Sequence, residues 1–131
     1  MYYFETVVQE TQLDIFGHVN NARYLELFEQ ARWDIITQNG FGLDKIKETH
    51  TGPVILEAHL RYLKELRHRE KIKISVEVME YNGKVGKLKQ NMITEAGDLS
   101  AELIVVFGLF DLKARKLLPP TPEWKKALGV I

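Results

Sequence analysis

The sequence of 131 residues predicts an α+β fold in which one amphipathic helix packs against an antiparallel sheet. Three observations support this fold: a β-rich segment near the N-terminus, one long stretch with helical periodicity, and later strand-like segments separated by short turns. The helix and the sheet would each expose an apolar face alone, and packing one on the other buries both. We therefore predict a single domain over residues 1–131, with five strands and one long helix.

The first half of the chain supplies one strand and the helix. Residues 2–8 (YYFETVV) are rich in aromatic and β-branched side chains, which favours a strand, and the polar and glycine residues that follow favour a loop. Residues 22–38 have helical periodicity, with Asn20 or Asn21 as the N-cap and Gly40 as the C-terminal stop. The apolar half of this helix consists of Tyr24, Leu25, Leu27, Phe28, Ala31, Ile35 and Ile36.

The second half is predicted to form strands, after a connection without assigned structure. The Asn-Gly pair in "YNGK" and the short reversal "EAGDL" are typical of hairpin turns. The prolines of "PPTPEW" end the last strand, and a short helix is expected after them. The predicted strands cover residues 54–66, 71–80, 84–95 and 100–112.

The composition restricts the function. Lys and Arg (18) balance Asp and Glu (18), so no net charge favours nucleic acid or a membrane surface as a partner. No apolar run reaches the roughly 18 residues of a membrane span, and the N-terminus does not resemble a signal peptide. There is no cysteine, and neither Ser75 nor Ser100 lies in a G-x-S-x-G motif. We expect a cytoplasmic protein without a metal or a cofactor.

The most informative segment is "DIFGHVNNARYLE", at the start of the predicted helix. It places the carboxylate of Asp14 and the imidazole of His18 four residues apart, followed by two asparagines. The free N–H groups at a helix N-terminus, together with the helix dipole, stabilise negative charge on a bound carbonyl oxygen. An acid directly before such a helix can reach that carbonyl. Candidate substrate contacts at this point are Asn20, Asn21 and Tyr24.

The pattern D-x-x-G-H-V-N-N-x-x-Y-x-x-x-F-E-x-A-R, together with the order of the elements, resembles the hotdog-fold thioesterases of the 4-hydroxybenzoyl-CoA thioesterase-like family. The resemblance covers nearly the whole chain and is sharpest from Asp14 to Arg32. It implies a curved antiparallel sheet wrapped around one long central helix, and a homodimer or homotetramer. It also implies hydrolysis of an acyl thioester, carried by coenzyme A or by an acyl carrier protein.

The resemblance also suggests roles for individual residues. Asp14 corresponds to the acid that the bacterial acyl-CoA thioesterases use as base or nucleophile, and the amide at the helix start corresponds to the donor that polarises the thioester carbonyl. The H-V-N-N sequence from His18 is similar to the plant acyl-carrier-protein thioesterases, which use that histidine and a later glutamate that matches Glu65. Those relatives have an asparagine two residues after the aspartate, where this chain has Phe16.

Each candidate residue also has a structural interpretation. Asp14 can form an Asx-turn, and His18 can pack on Tyr24. Glu65 can be a solvated strand end. Asp14, His18 and Glu65 could ligate a metal by type, but no dense cluster of His and Asp supports such a site.

The basic stretch "KELRHREKIK" allows two interpretations as well. Arg67 and Arg69 could bind the phosphates of coenzyme A or the acidic face of a carrier protein. The alternative is a solvated turn between two strands. Two other functions also stay open: a hydratase or dehydratase, whose D-x-N-P-x-H motif this chain lacks, and a non-catalytic domain that binds acyl-CoA.

Overall fold

The computed structural model describes residues 1–130 and has the predicted α+β composition. The helices are α1 (Asn21–Gln38), α2 (Leu43–Thr49) and α3 (Pro122–Ala127). The strands are β1 (Tyr3–Val7), β2 (Thr51–Tyr62), β3 (Lys71–Ser75), β4 (Glu77–Asn82), β5 (Val85–Thr94), β6 (Leu99–Asp111) and β7 (Lys116–Leu118). A turn of 3-10 helix covers Glu10–Gln12.

The sheet is antiparallel, and its main path runs β1-β3-β5-β6-β2. β4 continues the line of β3 along β5, and β7 folds back on β6, so the sheet has seven strands where five were predicted. The predicted strand 71–80 is divided because Ser75 and Val76 are both buried, which interrupts the alternation of inward and outward side chains. The main path of the sheet still has the five strands that were predicted.

α1 supplies the centre of the hydrophobic core, as predicted. Its buried residues are Tyr24, Leu27, Phe28, Ala31, Ile35 and Ile36. Leu25 was predicted to be buried and is instead 43% exposed. Leu25 lies in one stripe with Glu29 and Trp33, at four-residue spacing, and this stripe is exposed as a whole because the helix buries only the arc from Tyr24 through Phe28 to Ile35.

A buried polar contact ties α1 to the sheet. Gln90 on β5 is fully buried, and its amide nitrogen donates to the carbonyl of Phe28 at 3.0 Å. Its amide oxygen accepts from Nη1 of Arg32 at 2.9 Å. Burial lowers the pKa of Arg32, and Glu29 opposes that effect through its charge. Arg32 is therefore held by an uncharged partner that is itself fully buried.

One helix was not predicted. Residues 43–49 form α2, but Gly42 provides no side-chain cap at its start. The helix ends at His50, which adopts a left-handed conformation with φ of 57° where a glycine is usual. The short helix after the prolines was predicted and is α3. Within residues 1–130, no helix has both the length and the hydropathy that crossing a membrane requires.

The predicted strand 54–66 begins and ends earlier than expected. It is β2, which stops at Tyr62. The N–H groups of Leu63 and Lys64 both donate to the carbonyl of Ser100, at 2.9 and 3.0 Å, so the chain leaves the regular ladder there. The residues that follow belong to a loop, which we call the β2–β3 loop (63–70).

Candidate active site

The segment before α1 folds into a tight hairpin turn that presents Asp14. Leu13 and Val19 form an isolated antiparallel bridge. Inside it, the N–H of Asp14 donates to the carbonyl of His18 at 2.9 Å, and the N–H of Gly17 donates to the carbonyl of Asp14 at 3.1 Å. Gly17 has a φ of 77°, the left-handed conformation that closes three-residue hairpin loops and strains other residues. The glycine of the motif therefore fixes the shape of the turn.

The carboxylate of Asp14 is oriented by the backbone of its own turn. Oδ1 accepts a hydrogen bond from the N–H of Phe16 at 2.8 Å and a longer one from the N–H of His18 at 3.4 Å. Oδ2 has no hydrogen-bond partner within residues 1–130. The Asx-turn of the structural interpretation is thus present, and it leaves one carboxylate oxygen of a half-buried residue available.

The start of α1 offers an unpaired backbone donor. Asn20 is the N-cap: its Oδ1 accepts from the N–H of Ala22 at 3.0 Å, and its carbonyl accepts from the N–H of Arg23 at 2.9 Å. The N–H of Asn21 has no acceptor in the described part of the chain, and Asn21 lines a groove together with Asp14. An unpaired N–H at the positive end of the helix dipole is a favourable position for developing negative charge.

Two tyrosines form a wall beside this donor. The hydroxyl of Tyr62 donates to the carbonyl of Asn21 at 2.8 Å. The ring of Tyr24 meets that of Tyr62 edge to face, with the centroids 5.1 Å apart. Tyr24 is only 4% exposed and its burial raises the pKa of its hydroxyl, whereas Tyr62 is 51% exposed. Sequence reasoning missed Tyr62, whose position depends on where the end of β2 lies in the fold.

The β2–β3 loop brings Glu65 to His18. Oε2 of Glu65 lies 3.5 Å from Nδ1 of His18, and its Oε1 lies 3.6 Å from Nη2 of Arg67. The prediction that Glu65 ends a strand is wrong, because the chain leaves β2 before it reaches this residue. The fully buried Leu66 anchors the loop, and its carbonyl accepts from the N–H of Val19 at 3.0 Å. The loop and the hairpin turn are thus joined through their backbones.

These residues meet in one open groove of about 410 Å³. The predicted site residues that line it are Asp14, His18, Asn21, Tyr24 and Glu65. Asn20 caps the helix instead, and Arg67 lines an adjoining depression. Within residues 1–130, no three His, Cys, Asp or Glu side chains are grouped so that they could hold a metal ion, which disfavours the metal-site alternative.

The basic residues of the loop are engaged with carboxylates of the same chain. Arg69, whose φ is 61°, donates from Nε to Oε1 of Glu10 at 2.9 Å, and Nε2 of His68 lies 3.0 Å from the same oxygen. The hydrogen bond with His68, backbone hydrogen bonding and Arg69 lower the pKa of Glu10 to about 2. Arg67 is paired with Glu65. These pairs favour the solvated-turn interpretation of the basic stretch, above all for Arg69.

The groove therefore combines the groups that carbonyl chemistry requires. Asp14 can attack a carbonyl carbon or remove a proton from water, and the N–H of Asn21 can stabilise an oxyanion. His18 and Glu65 stand beside them as a second acid–base pair. Because no serine or cysteine lines the groove, the attacking atom must come from a carboxylate or from water.

Comparisons with known proteins agree with this geometry. Residues 8–128 match the model of the Thioesterase-like superfamily. The chain is 31% identical over 122 residues to the long-chain acyl-CoA thioesterase FadM of Escherichia coli K12, covering 92% of each protein.

Solved structures agree as well. YbaW of Escherichia coli, described as a probable thioesterase, matches with a TM-score of 0.84 and 29% identity over 98% of this chain and 96% of that one. SAV2348 of Staphylococcus aureus, solved in complex with CoA, matches with a TM-score of 0.90 over 97% of this chain and 80% of that one. At 18% identity, the second likeness concerns the fold alone.

The family match extends over the hairpin turn, α1, the β2–β3 loop and nearly all of the sheet. The resemblance to the hotdog-fold thioesterases, and with it the class of thioester hydrolases, is confirmed at the level of the family. The turn that presents an acid to a capped helix start is thus part of a known type of fold, and the chain belongs to the thioesterase-like superfamily.

Proposed function

We propose that the protein hydrolyses acyl-CoA thioesters in the groove at the start of α1, with Asp14 as general base or nucleophile. One observation carries the proposal: the carboxylate of Asp14, oriented by two backbone N–H groups, lines the same groove as the unpaired N–H of Asn21. Thioester hydrolysis needs both a group that attacks or activates water and a donor for the oxyanion.

In the general-base form, the N–H of Asn21 donates to the carbonyl oxygen of the thioester. Asp14 removes a proton from water while the water oxygen bonds to the carbonyl carbon, and the negative charge moves to the carbonyl oxygen. The carbonyl then re-forms, the C–S bond breaks, and the thiolate leaves and takes up the proton from Asp14. In the nucleophile form, an oxygen of Asp14 bonds to the carbonyl carbon, the thiolate leaves, and water hydrolyses the anhydride. His18, with Glu65 at 3.5 Å, orients water or substrate in either form.

The similarity to FadM supports coenzyme A as the carrier of the acyl group. FadM, which is 31% identical to this chain, is a long-chain acyl-CoA thioesterase. Arg67 is the better candidate for a phosphate contact, because its side chain is 72% exposed beside the groove and its contact with Glu65 is long, at 3.6 Å, whereas Glu10 holds Arg69 at 2.9 Å. An acyl carrier protein is the alternative partner that the H-V-N-N motif suggests.

A panel of acyl-CoAs tests the function. We expect hydrolysis of at least one member among acetyl to palmitoyl, benzoyl and phenylacetyl thioesters. We also expect kcat/KM on that thioester to exceed kcat/KM on the p-nitrophenyl ester of the same acyl group, since no serine or cysteine nucleophile is present in the groove. Comparable values on the two esters would contradict a dedicated thioesterase, and inactivity on the whole panel would contradict the proposal itself.

We also propose a homodimer, or a homotetramer built from two such dimers. β2 is an edge of the main sheet path, has 12 residues, and carries Ile55 and Leu56, which are 43% and 45% exposed. A long edge strand with exposed apolar side chains is a template for pairing with another chain. Light scattering at micromolar concentration should give at least a dimer, and a stable, active monomer would contradict this.

The proposed location is the cytoplasm, on composition alone. The sequence has no cysteine, so its fold does not depend on disulfides formed in an oxidising compartment. Cell fractionation should find the protein with cytoplasmic markers, and recovery from the medium or a membrane fraction would contradict the proposal.

A further inference from the structure

A second cavity, of about 90 Å³, lies beneath the second half of α1. Its inner surface is mainly apolar and aromatic, and includes Ile36, Leu88, Phe107 and Trp124. Trp33 on α1 and Ile55 on β2 also line it, and they are 36% and 43% exposed, so its mouth opens between these two elements. A mainly apolar lining of this kind favours an apolar ligand group over water.

The cavity and the candidate active site lie along the same flank of the protein, between α1 and β2. Near Asp14 the flank is formed by Tyr24 of α1 and Tyr62 of β2, and at the cavity by Trp33 and Ile55. From Asn21 to Trp33, twelve steps along the helix, α1 rises by about 18 Å. An extended hydrocarbon chain advances by about 1.3 Å per carbon, because its C–C bonds of about 1.5 Å meet at tetrahedral angles, so about 14 carbon atoms span that distance.

The far side of the cavity is a thin wall. Ile35, Val76 and Leu128 line both the cavity and a larger groove of about 590 Å³ behind it. That groove lies between β4, the first residues of the chain and the segment after α3. All three wall residues are at least 94% buried, so they close the cavity in this structure.

The charged residues at the cavity do not block an apolar ligand. Nη1 of Arg32 is bound to Gln90, and Glu29 is exposed on the helix stripe at the mouth. The aliphatic stem of an arginine contributes apolar surface while its charged end is held elsewhere.

We propose that this cavity receives the distal end of a linear acyl chain, and that Ile35, Val76 and Leu128 set the longest chain that the enzyme accepts. This inference rests on the proposed thioester hydrolysis. Each additional methylene that fits should raise kcat/KM about fourfold, the equivalent of about 0.8 kcal/mol per buried CH₂. A methylene beyond the wall should instead lower kcat/KM, because the packed side chains would have to move.

The test is the chain-length profile of kcat/KM, from acetyl-CoA to palmitoyl-CoA, for wall variants. Val76→Ala and Leu128→Ala open the wall towards the groove behind it, so we expect the best chain to lengthen by two or more carbons. Val76→Ile narrows the cavity, so the best chain should become shorter by a similar number of carbons. Val105→Ala is the matched control, since Val105 is fully buried but lines neither the cavity nor the groove.

The outcomes separate this inference from the proposed function. Hydrolysis by all variants with one unchanged chain-length profile would overturn the role of the wall and leave the thioesterase proposal intact. A shift in Val105→Ala equal to that in Val76→Ala would overturn it too, since the effect would then be general loosening. If the wild-type protein hydrolysed no acyl-CoA, the proposed function itself would fail. Two alanine variants and one isoleucine variant keep the test decisive if one of them does not fold.

Discussion

The hairpin turn with Asp14 and the β2–β3 loop with Glu65 each bring a carboxylate to the same groove, but they hold it differently. Asp14 is half-buried, and its Oδ1 is fixed by N–H groups at 2.8 and 3.4 Å. The side chain of Glu65 is 53% exposed, and its contacts within residues 1–130 are long, at 3.5 Å to His18 and 3.6 Å to Arg67. A group fixed before substrate binds does not have to be ordered during the reaction, so Asp14 is the better placed of the two for chemistry.

The two segments are nevertheless connected. His18 and Arg67 form an isolated antiparallel bridge, and the carbonyl of Leu66 accepts from the N–H of Val19. A substitution in the loop can therefore reach the turn through the backbone. To distinguish the roles of the two carboxylates by mutation, each substitution must keep the shape of the side chain.

The largest effect is expected for Asp14→Asn. The amide keeps the size of the side chain and an oxygen that can accept from the turn, so the fold should survive. It cannot act as a base or nucleophile, and we expect kcat to fall by roughly 10²–10⁴-fold. Steady-state kinetics should place the loss in kcat more than in KM, with circular dichroism as the control for folding. If Asp14→Asn lost this much kcat but also had an altered dichroism spectrum, the loss would not support a chemical role for Asp14.

His18→Ala should have an intermediate effect. The imidazole lies 3.5 Å from Glu65, in the groove that Asp14 also lines, and can orient water or substrate, but it is not proposed to remove the proton. We expect a loss of roughly tenfold to a hundredfold in kcat, below the upper range for a general base. Kinetics on the same acyl-CoA measure it, and a loss larger than that of Asp14→Asn would make His18 the principal acid–base group.

The smallest effect is expected for Glu10→Gln, which removes the ion pairs that hold the β2–β3 loop. The pKa of Glu10 is about 2 in the folded protein, whereas a glutamate without these partners, as in the unfolded chain, has a pKa of 4.5. The carboxylate of Glu10 therefore stabilises the folded state above pH 4.5. That contribution is lost as the pH falls through about 2. Thermal unfolding should give a slightly lower Tm for the variant at pH 7, and the difference should vanish towards pH 2. A difference that grows as the pH falls would contradict this origin.

Local patterns predicted the parts of the fold that depend on neighbours in sequence. The periodicity of residues 22–38 predicted the buried face of α1 except for Leu25, and the glycine and asparagines of the motif predicted a loop followed by the cap. α2 was not predicted because its ends carry neither a capping side chain nor a glycine in the left-handed position. A helix this short forms mainly because of its tertiary packing, and the local sequence does not show with what it packs.

The parts of the site that depend on distant pairing could not be predicted. Tyr62 reaches Asn21 across 41 positions of sequence, because the end of β2 lies beside the start of α1. Glu65 reaches His18 only because Leu66 turns into the core and bends the loop towards the hairpin turn. Periodicity reports which face of an element is buried, and it does not report which elements meet.

The most direct test of the account is the ratio of kcat for Asp14→Asn and Glu65→Gln, measured together on the best acyl-CoA of the panel. An exposed ion pair contributes about 1 kcal/mol or less, so Glu65→Gln should lose less than about tenfold. Asp14→Asn should lose roughly 10²–10⁴-fold. If folded Asp14→Asn kept most of its kcat while Glu65→Gln was inactive, Glu65 would be the base and the assignment of Asp14 would be wrong.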